Sequence, residues 1–159
     1  MTSALDAGCG TGAAGAWMRP FARRLHGLDA SPGMLALAAK RGVYDHLEVG
    51  DLLADAAPGA EAFDAVVLAD VVPYFGALAP LFQALRPRLL PGGAVLACGE
   101  RSDDPGFTLR PTGRYQHHAD VVREAAAEAG LRVLALEESV LRNEGGAPVN
   151  GWYAVLRSA

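Results

Sequence analysis

Asp6-Ala7-Gly8-Cys9-Gly10-Thr11-Gly12-Ala13-Ala14-Gly15 decides how the rest of the chain is read. The apolar run from Leu5 to Cys9 reads as a short strand, and Ala14, Trp17, Met18, Phe21 and Leu25 recur at helical spacing behind it, with Pro20 ending or kinking that helix near Arg19. Glycines at such a strand-to-helix turn let the backbone bend tightly and let a ligand come close. Two ligand classes fit. Gly10, Gly12 and Gly15 satisfy the G-x-G-x-x-G dinucleotide pattern of an NAD-dependent oxidoreductase, with Asp29 about 20 residues downstream to hold a ribose. Asp6, Gly8, Gly10 and Gly12 instead give acidic-x-Gly-x-Gly-x-Gly, with a carboxylate at the mouth of the loop. That carboxylate repels a pyrophosphate but suits S-adenosylmethionine, which has no phosphate and carries cationic amino and sulfonium groups. The methyl donor is the favoured ligand.

Outward from this loop the chain alternates strands and helices. Leu25 to Leu28 reads as a second strand ending at Asp29, and Ser31-Pro32 caps and starts a helix that runs to about Arg41, where Gly42 closes it. His46 to Gly50 is a third strand ending at Asp51. Phe63 to Ala69 is a fourth, apolar enough to be buried on both faces. A helix over Ala77 to Leu90, a turn at Pro91-Gly92-Gly93 and a fifth strand over Ala94 to Gly99 follow. Glu100 to His118 is polar and without clear periodicity, so it reads as a long loop of the functional or mobile kind. The helix Ala119 to Ala129, closed by Gly130, leads into strands Leu131 to Leu141 and Trp152 to Arg157 around a Gly-Gly loop. The expected fold is α/β: a Rossmann-like, doubly wound, mostly parallel sheet ending in an antiparallel hairpin. No repeat or linker divides residues 1–159, which read as a single domain with a donor-binding half over about 1–75 and an acceptor-side half over about 76–159.

The composition narrows the classes further. Of 159 residues, 51% are hydrophobic and 20% charged, which excludes intrinsic disorder, and no apolar run is long enough for a transmembrane helix. A net charge of −4 without a dense basic run argues against a nucleic-acid partner. Cys9 and Cys98 have neither metal-ligand nor disulfide spacing. Asp103-Asp104 has no further ligands around it, so no metal is expected. The N-terminal residues lack a signal-peptide pattern, which places the protein in the cytoplasm, and the excess of arginine over the single lysine, Lys40, is that of a bacterial GC-rich source.

The sequence resembles the class I S-adenosylmethionine-dependent methyltransferases along nearly its whole length. Leu5 to Gly12 is similar to their first motif, Leu28 to Leu35 to their second, Gly50-Asp51-Leu52 to the end of their third strand, Asp64 to Val67 to their fourth strand and Leu90 to Gly93 to the turn before their fifth. Val72 to Gly76, Leu109 to His117 and Leu134 to Arg142 are similar to segments of bacterial methyltransferases associated with tetratricopeptide repeats. The resemblance implies the strand order 3-2-1-4-5-7-6 and assigns roles. Gly8, Cys9, Gly10 and Gly12 pass under the methionine part of the donor, and Asp6 orders polar contacts there. Asp29, with Ala30 beside it, accepts the ribose hydroxyls. Met34 and Leu52 flank the adenine and Asp51 takes its exocyclic amine. Asp70 sits near the methionine end and the acceptor.

Tyr115 and His117, in the irregular stretch, are the candidate acceptor-site residues, the histidine as a base for an oxygen or nitrogen nucleophile. The expected reaction moves a methyl group to a small molecule or a protein side chain. Class I enzymes carry helices ahead of the first strand, whereas here the strand begins by Ala4. The expectation is either a minimal or truncated form, or a pocket completed by a second copy of the chain or by an upstream domain. A domain that binds S-adenosylmethionine or S-adenosylhomocysteine without catalysis is the alternative, ahead of an oxidoreductase.

Overall fold

The computed structural model describes residues 1–54 and 60–158. Strands β1 (Ser3–Ala7), β2 (Arg24–Asp29), β3 (His46–Val49) and β4 (Phe63–Leu68) are parallel, β1 lying between β2 and β4 with β3 outside β2. Strand β5 (Leu89–Arg101) runs parallel to β4 on one edge, and its other edge pairs antiparallel with β9 (Ala147–Ser158), itself paired with β8 (Leu131–Glu144). With β8 and β9 counted as sixth and seventh, the order is 3-2-1-4-5-7-6, as the resemblance implies.

Side chains alternate between the two faces of each strand, and the core divides accordingly. From β1 and β2, Ala4 and Leu25 pack with Met18 and Ala22 on one face, beside a cluster of Cys9, Leu35 and Ala38. Those residues bring α1 (Ala13–Met18) and α2 (Pro32–Ala39) to that face. Leu5 and Leu28 join the larger cluster on the other, which takes in Leu81, Phe82 and Leu85 of α3 (Ala79–Leu85) and Val122, Ala125 and Ala126 of α4 (Ala119–Glu128). Helix α2 starts as the sequence predicts: Pro32 occupies its first turn and the Ser31 hydroxyl accepts from the Met34 N–H at 3.3 Å. Among the described residues no helix is long and apolar enough to cross a membrane.

Three expectations are corrected. The helix over Ala77 to Leu90 is shorter: α3 ends at Leu85, and Pro87, which has no backbone donor, sits in a single 3-10 turn over Arg86–Arg88. Pro91-Gly92-Gly93 is a bulge inside β5 rather than a turn before it, because Phe63 pairs with Leu89 and Ala65 with Ala94, so two steps on β4 face five on β5. The stretch after the fifth strand is not irregular throughout. It holds a hairpin, β6 (Phe107–Leu109) and β7 (Tyr115–His117), whose strands are too short to show periodicity and take their order from pairing.

The position of that hairpin matters for the site. Glu100 pairs with Gly151 of β9 on one edge and with Gln116 of β7 on the other. Strand β7 therefore takes over the edge that β4 leaves after Leu68, and the hairpin stands beyond the carboxyl end of β4. In open α/β sheets, ligands bind at that end of the strands.

Candidate functional site

The turn after β1 is built from backbone donors and one carboxylate. Gly8 N–H and Cys9 N–H both donate to the Leu28 carbonyl, at 2.7 and 3.0 Å, which ties the loop to the end of β2. Asp29, the last residue of β2, accepts from Gly10 N–H and from Ser31 N–H, each at 2.8 Å, so one side chain fixes both the glycine loop and the start of α2. Gly8 and Gly10 have φ of 79° and 53°, the left-handed region that glycine enters without strain. A Cβ on Gly8 would lie 2.6 Å from Val71 Cγ2, whereas one on Gly10 would meet nothing within 4 Å. Gly8 is held by packing, and Gly10 faces open space.

Gly12, at φ 82°, shares that region, and with Gly15 it also makes room for neighbouring side chains. A Cβ on Gly15 would lie 2.1 Å from the Tyr44 hydroxyl, and one on Gly12 would lie 3.0 Å from both Tyr44 and Arg41. The third glycine of the dinucleotide pattern is thus the space that Tyr44 fills. Its hydroxyl donates to Asp6 Oδ2 at 2.7 Å. Asp6 is 1% exposed and its Oδ1 has no partner among the described residues. Burial pushes its carboxyl up, against the lowering effect of Tyr44. The Cys9 thiol is pushed up to about 12 by burial and then by the charges of Asp6 and Asp29. The loop therefore sits in a negative field, which favours a cation over a phosphate.

A cleft of about 580 Å³ opens above the loop. Its lining brings together Asp6, Gly8, Cys9, Gly10, Asp29, Met34 and Asp70, with Val71 and Tyr74 closing the far side. Gly12 is packed below the loop, Ala30 is exposed beside Asp29, and neither lines the cleft. Asp51 and Leu52 line a separate depression with Leu28 and Gly50. Leu52 still borders the loop, its Cδ1 lying 3.6 Å from where a Gly8 Cβ would stand.

Tyr115 and His117 are not in the cleft wall. The imidazole of His117 is fully buried, and its Nε2 lies 2.8 Å from the Phe75 carbonyl and 3.0 Å from that of Gly76. Two acceptor partners mean that Nε2 carries the hydrogen and donates. Its Nδ1 has no partner among the described residues, and burial pushes the ring below its ordinary titration range, so it stays neutral. The Tyr115 ring packs against Phe107 at 5.8 Å. These residues pin the hairpin to the segment after β4.

Sequence reasoning missed the ion pairs at this end of the sheet. Asp70, a non-glycine residue at φ 57°, pairs with Arg114, whose guanidinium lies 5.5 Å from the Tyr74 ring centroid. Arg114 Nε also donates to Glu100 Oε1 at 2.6 Å, and Arg142 reaches the same oxygen at 2.9 Å. Burial raises the Glu100 carboxyl, but Arg142 and Arg114 outweigh it and hold the group below its usual range. Partners lie 14 to 44 residues apart in the chain, so no local pattern reveals them. For Tyr44 the one signal is a glycine, Gly15, inside a helix where it otherwise costs stability.

Comparison with known proteins gives the family and the fold. The family model described as a methyltransferase domain matches residues 5–97. Over 96 residues, 58% of this chain, the sequence is 38% identical to malonyl-[acyl-carrier protein] O-methyltransferase of Serratia marcescens and covers 36% of that protein. Over 66 residues, 40% of this chain, it is 44% identical to methyltransferase-like protein 27 of Homo sapiens and covers 27% of it. The chain spans about a third of the length of these curated relatives. The N-methyltransferase NodS from Bradyrhizobium japonicum WM9, solved in complex with S-adenosyl-L-homocysteine, shares the fold: TM-score 0.76 at 23% identity, over 99% of this chain and 78% of that one.

Proposed function

The chain belongs to the methyltransferase domain family, and we propose that it moves the methyl group of S-adenosylmethionine to a nucleophile on a small molecule or a protein side chain. The observation that carries the proposal is the negative cleft over the β1 turn, where the buried Asp6 keeps an unpartnered oxygen and Gly10 faces open space. An acidic, phosphate-repelling cradle of this kind fits a cationic donor.

We assign the donor to the loop Gly8 to Gly12, with Cys9 beneath it and Asp29, next to Ala30, accepting from the ribose hydroxyls. Each Asp29 oxygen accepts one backbone N–H and keeps capacity for a second bond. Met34 and Leu52 flank the adenine and Asp51 accepts from its amine. When bound, the donor supplies an already activated methyl group. The chain then has to hold the acceptor in line and exclude water, which is mainly positioning. Asp70 and Tyr74 face both donor and acceptor, and residues 76–159 supply the acceptor side against the donor half 1–75. His117 and Tyr115 serve by fixing the hairpin, the histidine as a neutral donor to two carbonyls.

Incubation with S-adenosylmethionine tritiated on the methyl group, together with a cell extract, tests this. Label that moves from the donor into a new small-molecule or protein product, and does so only when the chain is added to the extract, supports methyl transfer. Donor binding without transfer into either fraction overturns it in favour of a binding module.

A further inference from the structure

Beside the donor cleft lies a second, polar cleft of about 550 Å³ between the β6–β7 hairpin and the β8–β9 hairpin. The two clefts share a wall. Arg114 lines the second, while its partners Asp70 and Tyr74 line the first. A molecule long enough to pass the Arg114–Asp70 pair therefore reaches from the polar cleft into the first.

The charges of this cleft are unevenly used. Its acids are Glu100, Asp103, Asp104 and Glu144. Glu100, 5% exposed, is shared by Arg114 and Arg142, which holds both guanidiniums on a rigid strand. Glu144 takes Arg142, and Asp103 takes Arg101. Arg142 bonds through Nε and one terminal nitrogen, leaving the other with no partner among the described residues. Arg110 has none for its whole guanidinium, which can meet a carboxylate in a bidentate fork. The Gln116 and Asn150 amides, also in the lining, add neutral donors. Against this, Asp104 is the one acid of the lining whose carboxylate makes no pair among the described residues, and it sits exposed at the rim.

We propose that this cleft is an anion subsite that takes a carboxylate or phosphate group at the far end of the methyl acceptor, with Arg110 and Arg142 as its contacts and Arg114 as the fixed wall. The acceptor is accordingly an anionic small molecule. This rests on the methyl-transfer reading only in calling the ligand an acceptor. The Arg142–Glu144 pair is exposed on its Glu144 side, so a ligand anion exchanges with it at little cost.

Nitrogen-15 NMR of the whole chain at low salt tests the subsite with glutarate and inorganic phosphate as anionic probes and 1,5-diaminopentane as the cationic control. The expected result is saturable shifts at Arg110, Gln116 and Asn150 with at least one anion and none with the diamine. The stronger anion tells carboxylate from phosphate. Arg110→Ser, an exposed change that leaves the buried pairs intact, should weaken that binding about tenfold. Absence of shifts with both anions, equal shifts with the diamine, or anion binding that Arg110→Ser leaves unchanged overturns the proposal. S-adenosylhomocysteine titrated into the same samples reports on the donor cleft alone. Its failure to bind contradicts the methyl-transfer reading and leaves the anion result to stand or fall by itself.

Discussion

Single carboxylates separate the functions of this molecule. Asp29 both braces the loop and faces the cleft. Asp29→Ala should weaken S-adenosylhomocysteine binding by about 1.5–3 kcal/mol, read by calorimetry, because charge-assisted bonds are lost. Asp6 behaves in the opposite sense for stability. Its carboxyl is raised by burial, so the stability it contributes is present at low pH and lost as pH rises through its folded value. Asp6→Asn should therefore raise the unfolding free energy of the unliganded protein at neutral pH while weakening donor binding, measured by urea denaturation and calorimetry in parallel. His117 is tested by contrast. Glutamine places an N–H where Nε2 stands, so His117→Gln should keep most of the transfer activity. His117→Ala, which strands the Phe75 and Gly76 carbonyls, should cost about 1–3 kcal/mol of stability. Activity lost equally in both variants, with folding intact, would instead make the imidazole the acceptor-site base. Asp6, Asp29 and the glycines were legible because their spacing is local. Tyr44, Glu100 and Arg142 were not, because only the folded sheet brings them to their partners.

Elements whose pattern is written in their own residues came through reading of the sequence alone. The four parallel strands and α2, with its Ser31 cap and Pro32, are of this kind. The β6–β7 hairpin is not: three-residue strands gain their order from pairing with β5 and from the bonds of the buried His117 to the Phe75 and Gly76 carbonyls, 42 and 41 residues away in the chain. The limit of α3 shows a local rule in competition with periodicity, since apolar spacing continues to Leu90 while Pro87 stops the helix. Helix α1 offers a direct test of element packing. Gly15→Ala should destabilise the protein by about 1–3 kcal/mol through collision with Tyr44. Combined with Tyr44→Leu, which shortens the intruding side chain, the loss should be smaller than the sum of the two single changes in a double-mutant cycle. Strict additivity would mean that the two do not meet.

For the whole molecule, acid stability follows from which groups are buried and paired. His117 is held neutral below its ordinary range, so its share of stability is present above the ordinary imidazole range and is lost as pH falls through its folded value. Glu100, Asp45 and Asp64 are held below the carboxylate range by arginine or backbone donors, and theirs is lost only at still lower pH. Thermal unfolding followed by circular dichroism should show a midpoint that declines first below neutrality and again in the carboxylate range. His117→Gln should shrink the first decline, leaving the share of His26, whose imidazole burial also pushes down, and should leave the second decline unchanged. At this scale the fold was legible from the alternation of strands and helices, whereas the polar cleft between the two hairpins, with its crossed ion pairs, depends on the assembled sheet. The central claim is that the acidic cleft over the β1 turn holds a cationic methyl donor and rejects a dinucleotide. Calorimetric titration of the chain and of Asp29→Ala with S-adenosylhomocysteine and with NAD tests it most directly. Saturable binding of the first alone, weakened in the variant, is the predicted result; NAD binding, or S-adenosylhomocysteine affinity that Asp29→Ala leaves unchanged, would contradict it.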